Sequence, residues 1–188
     1  MKKLILCLLM ISLLAIGAFA DHPNGWGVGL MGRGGWGYGS GGLGGGALSL
    51  KAPMLPIYWG INVDLGSNYF GLGITGDFYL IDNTLADLGT PTLGWYLGLG
   101  GFFGFGTYSV SSASWTSLSL GARLPIGLSL QIPVSSISVE IFGALVPNLG
   151  FGFWFWDSKY DTYWKDENRG SFGIVGGIGG ELGFRIWF

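Results

Sequence analysis

The apolar residues of this chain recur at every second position. In residues 117–133 the apolar series runs from Leu118 and Leu120 to Leu130, and Ser, Gly, Arg, Pro and Gln fill the positions between. A period of two places alternate side chains on opposite faces of a β-strand, whereas a helix would scatter them. The run exceeds the usual globular strand of about five or six residues and suits a tilted membrane strand of about nine to eleven.

Seven other segments repeat this alternation, so the pattern predicts eight strands. The apolar series lie in residues 26–30, 48–52, 57–65, 70–80, 93–105, 118–130, 137–153 and 172–188. Gly, Pro, Asn and Ser between these segments predict turns or loops. We expect them at residues 32–46, 53–56, 66–68, 82–91, 108–114, 133–136 and 156–171. Pro125 and Pro147 fall inside long strands, where proline predicts a bulge or a strand edge.

The charged residues of the predicted strands occupy the face opposite to the apolar series. They are Arg33, Lys51, Asp64, Asp77, Arg123, Glu140, Glu181 and Arg185. A lipid-facing Arg or Lys at mid-bilayer costs roughly 2–4 kcal/mol, so only the apolar face suits hydrocarbon. A soluble sandwich would turn the charges outward, but its surface would normally carry more than one charge per strand.

A membrane-spanning backbone must be helical or form a closed sheet, because lipid offers no hydrogen-bond partners. Residues 88–122 carry no charge, but their period of two and Pro91 argue against a multi-helix protein. The pattern therefore predicts an all-β fold, a closed eight-stranded antiparallel up-and-down transmembrane β-barrel.

The inward charges are balanced, four basic against four acidic, which favours a neutralised salt-bridge network in the lumen. Scattered lumen charges separated by water are the alternative. Inward glycines of the fifth strand leave room for inward aromatic side chains, since eight strands enclose space only for side chains. These aromatic residues are Tyr58, Tyr79, Tyr96, Phe102, Phe142 and Trp154. The other interpretation of the glycines is a small apolar path through the middle.

The N-terminal segment has the features of an export signal. Lys2 and Lys3 precede a short apolar stretch, and residues 18–20 read A-x-A. We expect residues 1–20 to be removed, leaving residues 21–188 as one domain without cysteine, because Cys7 leaves with the signal. Without Lys2 and Lys3, seven of the nine basic residues remain against eleven acidic ones. This balance gives no indication of nucleic-acid binding.

The last residues alternate and end on an aromatic side chain, which suits a strand that closes the ring with the first one. The stretches "GGALSLKAP", "LPIYWGINVDLG", "LGARLPIGLSLQ" and "GFRIWF" resemble a spirochaete-type family of small outer-membrane barrels, over roughly residues 44–188. The chain is also similar in plan to OmpA, OmpX and OmpW barrels. The resemblance implies an outer-membrane location and no catalytic residues. It also implies a C-terminal signal (Phe184, Ile186 and Phe188) read by the barrel-assembly machinery.

Enzymatic, cofactor and metal chemistry find little support in the sequence, so none of these is predicted. The only histidine, His22, precedes every strand and is expected at a frayed end, where it could not serve as a catalytic base. One histidine without cysteine does not build a metal site. Residues 71–76 match G-x-G-x-x-G, but the motif needs a strand, a turn and a helix, and this match lies within a strand.

The loop at residues 156–171 is the most polar segment and is expected outside the cell. Its candidate ligand contacts are Tyr160, Tyr163, Trp164, Lys165 and Arg169. A solvated loop that keeps the rim polar is the simpler interpretation. Three functions follow: a structural, surface-exposed barrel with a filled lumen, a small pore or hydrophobic-solute conduit, and a surface protein that binds an external ligand. Outward Trp26, Trp59 and Trp95 suit the aromatic belts of a bilayer-embedded barrel.

Overall fold

The protein is an antiparallel β-structure whose strands pair in a ring. The computed structural model describes residues 22–38, 45–110, 113–158 and 169–188. Nine strands lie in these residues: β1 Gly27–Tyr38, β2 Gly45–Lys51, β3 Tyr58–Leu65, β4 Tyr69–Asp87, β5 Thr92–Val110, β6 Ala113–Arg123, β7 Ile126–Val134, β8 Ile137–Ser158 and β9 Arg169–Trp187. No helix in this described part of the chain is long and apolar enough to cross a membrane.

The ring has eight strand positions, because β6 and β7 occupy the same one. Successive strand positions pair antiparallel, with β6 and β7 both between β5 and β8, and β1 also pairs with β9. The pairing continues beyond these two strands, where Trp26 and Phe188 exchange backbone hydrogen bonds of 2.9 and 3.0 Å. The all-β, antiparallel and eight-position parts of the predicted fold are therefore confirmed.

Pro125 explains the division of the sixth strand. It lies between β6 and β7, yet the register with β5 runs from Gly100↔Arg123 to Leu97↔Ile126 without a shift. The Pro125 carbonyl still accepts a hydrogen bond of 2.8 Å from Gly98 N–H. Pro125 thus interrupts the strand without a bulge, and Pro147 lies within β8 in regular register with Ile178. Of the predicted alternatives, a bulge or a strand edge, the bulge is absent at both prolines, and Pro125 lies at a break between two strands.

Several predicted loops are shorter than expected because strands continue through glycine and polar residues. The loop predicted at residues 32–46 is strand up to Tyr38 and again from Gly45, and the one at residues 82–91 is strand up to Asp87. The loops predicted at residues 108–114 and 156–171 shrink in the same way, since β5 reaches Val110 and β9 begins at Arg169.

Residues 22–26, Phe188 and the turns of residues 52–57, 88–91 and 135–136 lie at one end of the ring, here called the terminal end. The apolar series face outward and are half or more exposed at many positions, including Leu30, Leu182 and Ile174. The opposite face of each strand forms the interior, with Tyr58, Tyr79, Tyr96 and Phe142 buried there as predicted, and Phe102 as well. Trp154 is only half-buried.

Glycines and large side chains pair across the interior. A Cβ on Gly98 would lie 2.8 Å from the Pro125 ring and 3.1 Å from Tyr79, and one on Gly127 would collide with the Tyr96 ring. The glycines therefore provide the space in which the aromatic rings pack, as the filled-lumen interpretation expects. Large side chains above glycine are a recurring device in curved sheets.

Candidate functional site

Two groups of charged side chains meet in the interior. We call His22, Asp82, Glu140, Arg185 and Trp187 the His22 cluster; it lies toward the terminal end. We call Arg33, Asp77, Arg123 and Glu181 the arginine cluster. All of these residues except His22 are supplied by strands. The strand residues project inward from their places in the alternation, except Asp82, which a bulge in β4 turns inward.

His22 binds two carboxylates with its two ring nitrogens. Its Nδ1 lies 2.6 Å from both carboxylate oxygens of Asp82, and its Nε2 lies 2.9 Å from Glu140 Oε1. The backbone N–H of His22 also donates to Asp82 Oδ2 at 3.2 Å. Carboxylate oxygens only accept hydrogen bonds, so this arrangement favours an imidazolium that carries a proton on each nitrogen.

Burial and charge act in opposite directions on His22. Burial, the largest influence, by itself lowers the pKa of the imidazole, because the charged form loses its hydration. The hydrogen bonds and negative charges of Asp82 and Glu140 together outweigh burial and raise the pKa of His22 to about 9. The ring is therefore positively charged at neutral pH.

Glu140 is fully buried and has three cationic or donor partners. Besides His22, Arg185 Nη1 donates to its two oxygens at 3.1 and 3.0 Å, and Trp187 Nε1 donates to Oε2 at 2.9 Å. Arg185 Nε in turn donates to Ser49 Oγ at 2.7 Å, and its guanidinium lies 3.9 Å from the centre of the Phe142 ring. A buried carboxylate is tolerated only with such complete pairing.

Three stacked tyrosines flank the His22 cluster. Tyr58 and Tyr79 stack with ring centres 3.8 Å apart, and Tyr79 and Tyr96 with centres 4.3 Å apart. His22 lies beside this stack, 5.5–6.0 Å from the three ring centres and steeply inclined to each ring. The stack closes one side of the site and keeps water from the ion pairs.

The arginine cluster pairs two cations with two anions. Arg123 Nη2 donates to Glu181 Oε2 at 2.8 Å, and Arg33 Nε lies 2.9 Å from Glu181 Oε1. Arg123 Nε lies 2.9 Å from Asp77 Oδ1, but its N–H does not point at that oxygen, so this contact is an ion pair without a directed hydrogen bond. The same holds for Arg33 Nε, whose guanidinium donates instead to Thr75 Oγ1.

The eight residues predicted as one lumen network are thus divided. Arg33, Asp77, Arg123 and Glu181 come together, and Glu140 pairs with Arg185 in the other cluster. Lys51 instead donates to the Ala52 carbonyl at 2.8 Å and lies 5.7 Å from the Tyr58 ring centre. Asp64 accepts a hydrogen bond of 3.1 Å from Asn62.

The positions of two members of the His22 cluster differ from those predicted from the sequence. His22 was expected at a frayed end, but only 7% of its surface is exposed. Asp82 was assigned to a loop, but it lies in β4, and a bulge between Tyr79 and Ile81 turns it inward. The alternation of β4 could not reveal this, because a single extra residue reverses the face of everything after it.

The remaining predicted residues have other positions. Phe184, Ile186 and Phe188 lie on the outer face and are exposed; their role in assembly stays a prediction. Tyr160, Tyr163, Trp164 and Lys165 lie outside the described residues, as does the predicted signal at residues 1–20. Arg169 is the first residue of β9, and its side chain also lies outside the description.

The geometry supports charge neutralisation. Both ring nitrogens of His22 are engaged by carboxylates, so neither is available to accept a proton from a substrate. Within the described residues, no group of three or more His, Cys, Asp or Glu side chains is arranged to hold a metal ion. Each cluster balances two positive against two negative side chains.

Neither the comparison with protein-family models nor that with curated proteins found a match to this chain. The resemblance to spirochaete-type outer-membrane barrels therefore stays a prediction.

Proposed function

We propose that the protein is a small outer-membrane β-barrel, exported through residues 1–20, whose lumen is filled by ion-paired and aromatic side chains. Its role in this proposal is structural and surface-exposed. The observation that carries it is the sorting of side chains across the wall: large apolar residues cover the outside, and the charged residues of both clusters lie inside.

The composition of the outer face suits contact with lipid. Exposed Leu, Ile, Val and Phe side chains lie on every strand position of the ring, among them Leu48, Val63, Leu128 and Phe151. Soluble monomers rarely expose an apolar patch above a few hundred Å². A surface of this kind is at its most stable in hydrocarbon, and ring closure leaves no unpaired strand edge there.

The aromatic residues of the outer face support the same orientation. Trp26, Trp59 and Trp95 lie at or near the terminal-end beginnings of their strands. Phe155 and Phe172 lie on the outer face near the opposite end and are 49% and 61% exposed. Two aromatic belts that flank an aliphatic zone are typical of barrels in a bilayer.

The filled interior favours a barrier function and argues against a pore. Two neutral clusters and a tyrosine stack occupy the space that a conduit would need. A small pore or hydrophobic-solute conduit remains the alternative, and a conductance measurement tests it.

Ligand binding through the loop at residues 156–171 is a third proposal. If it is correct, deletion of residues 159–168 should abolish binding at the cell surface.

Spin labels on the wall test the membrane proposal directly. Leu120→Cys places a label on the outer face of β6, where the native side chain is 48% exposed. Met54→Cys places one in the turn between β2 and β3, where the native side chain is 92% exposed. With Cys7 removed with the signal, each variant of residues 21–188 has a single cysteine.

In lipid vesicles we expect the Leu120 label to be relaxed by dissolved oxygen and shielded from a water-soluble nickel chelate, and the Met54 label to show the reverse. Heat-modifiable gel migration verifies that both variants are folded. Equal access of the chelate to both labels would contradict a lipid-facing wall. So would a processed chain that stays monodisperse in buffer without detergent.

A further inference from the structure

The segment that precedes β1 reaches into the ring through His22. Residues 22–26 belong to no strand, and Trp26 is attached to Phe188 at the terminal end. His22 nevertheless reaches inward and is nearly as buried as the strand residues around it. This position requires a specific attraction, since an unstructured segment at a chain end otherwise loses conformational entropy without compensation.

The surroundings of His22 carry one negative charge in excess. Asp82 of β4 and Glu140 of β8 provide two carboxylates, whereas Arg185 of β9 provides one guanidinium. The other titratable groups that face the ring are the phenols of Tyr58, Tyr79 and Tyr96 on β3, β4 and β5. Lys51 of β2 lies behind Tyr58. One additional positive charge makes the site neutral.

The shape of the site also fits an imidazolium. The two carboxylates lie on opposite sides of the ring, each within hydrogen-bond distance of a different nitrogen. Trp187 and the tyrosine stack enclose the ring plane, with the Trp187 ring centre 6.1 Å away. The donors of an ammonium group radiate from a single nitrogen, so they do not reproduce the two separate N–H donors that an imidazolium ring directs to opposite sides.

We propose that the terminal end of the interior is a binding site for one planar organic monocation of the imidazolium class, and that the N-terminal segment occupies it in cis through His22 and thereby closes this end. The site does not depend on the membrane role. It would exist in the folded ring whether the wall faces lipid or detergent.

Chemical complementation of His22→Gly tests the site in the full-length processed chain. The variant leaves both carboxylates without their cation, so we expect the midpoint of heat conversion from the compact to the unfolded gel form to fall by roughly 10 °C at pH 7. Millimolar imidazole should restore most of this loss in His22→Gly and leave the native protein unchanged. Sodium chloride at equal concentration should not restore it.

A second substitution distinguishes binding at this site from a general solvent effect. In His22→Gly with Asp82→Asn, one carboxylate is neutral, and imidazole should restore little. Leu120→Gly, which removes a side chain from the outer wall, is the matched control and should not respond. Equal effects of imidazole on all four proteins, or full restoration in the double variant, would overturn the proposal.

The native protein provides a measurement that does not need the glycine variant to fold. His22 is the only histidine of the chain, so exchange of the imidazole C2 hydrogen with heavy water reports on this site alone. We expect it to be several-fold slower in the folded protein than in the urea-unfolded chain. Equal rates would place the ring outside the interior and overturn the proposal, even if the lipid-exposure experiment succeeds.

Discussion

His22 shows how one residue can decide the charge balance of an interior. Without it, Asp82 and Glu140 would share a single guanidinium, and one carboxylate would stay buried and unpaired. Removal of one partner from a buried ion pair typically costs about 3–5 kcal/mol. The N-terminal segment, which belongs to no strand, is thus energetically part of the folded ring.

The raised pKa of His22 predicts a stability that declines in alkali. Its value rises from 6.5 to about 9 on folding, so folding takes up a proton between these values. The contribution is complete below pH 6.5, amounts to about 3 kcal/mol, and is lost as the pH rises through about 9. Urea unfolding at pH 6, 7, 8 and 9 should show this decline, and NMR of selectively labelled histidine should give the midpoint directly.

His22→Gln is the control for this titration, because glutamine cannot change its charge. Its free energy of unfolding should be lower than that of the native protein at pH 6 and should vary little up to pH 9. A native midpoint near 6.5, or an equal decline in both proteins, would show that the carboxylates do not stabilise the imidazolium.

The alternation of apolar residues was sufficient to predict the strands but not their continuity. Leu118, Leu120 and Leu128 lie on the outer face as predicted, because a strand surface sorts side chains with a fixed period. Glycine carries no such information. The extension of β1 through residues 34–38 was therefore read as a loop, and only the pairing with β9 reveals it.

The charged residues predicted as one network are divided between two clusters and single contacts, and two members of the His22 cluster were not predicted. Arg123, Glu181 and Arg185 could be placed inside by their parity, but their partners could not, since partner choice depends on register around the ring. Asp82 was missed because of the bulge in β4. His22 was missed because residues outside a periodic segment have no face that a pattern could assign.

Deletion of Leu80 tests the bulge in β4. Tyr79 and Asp82 both face inward although three positions separate them, because the pairing with β5 shifts between Tyr79 and Ile81. Removal of Leu80 should give a regular ladder in which both still face inward, so we expect a small change in stability and an unchanged pKa of His22 near 9.

Deletion of Phe78 is the matched control. It can be accommodated only if Tyr79 turns outward and Leu80 enters the interior, which breaks the stack of Tyr58, Tyr79 and Tyr96. We expect a loss of about 3–5 kcal/mol, as for removal of a large aromatic side chain from a core. Similar losses from both deletions in urea unfolding would refute the role assigned to the bulge.

At the scale of the whole molecule, the wall and the interior reverse the arrangement of a soluble protein. The outside is apolar, and the inside contains two clusters in each of which two cations meet two anions. In the proposed barrier function, neutral pairing keeps the interior closed, because ion pairs linked across several strands resist separation and leave no charge excess to attract water or counter-ions. Barrier strength should then depend on the clusters and not on the apolar residues of the outer face.

Planar-bilayer recordings test this dependence. The native protein should conduct little above background, since the arginine cluster and the His22 cluster fill successive parts of the lumen. Arg123→Ala with Glu181→Ala removes one cation and the anion bound to it, and it leaves Arg33 and Asp77 as a neutral set. We expect a clear increase in ion current from this double variant, because truncation of two long side chains opens space that water can enter.

Leu120→Ala with Leu128→Ala is the control. It removes apolar volume from the outer face and should not conduct. A native protein that already conducts steadily would favour the pore, whereas a silent Arg123/Glu181 variant would show that the tyrosine stack and the His22 cluster close the lumen without help from the arginine cluster.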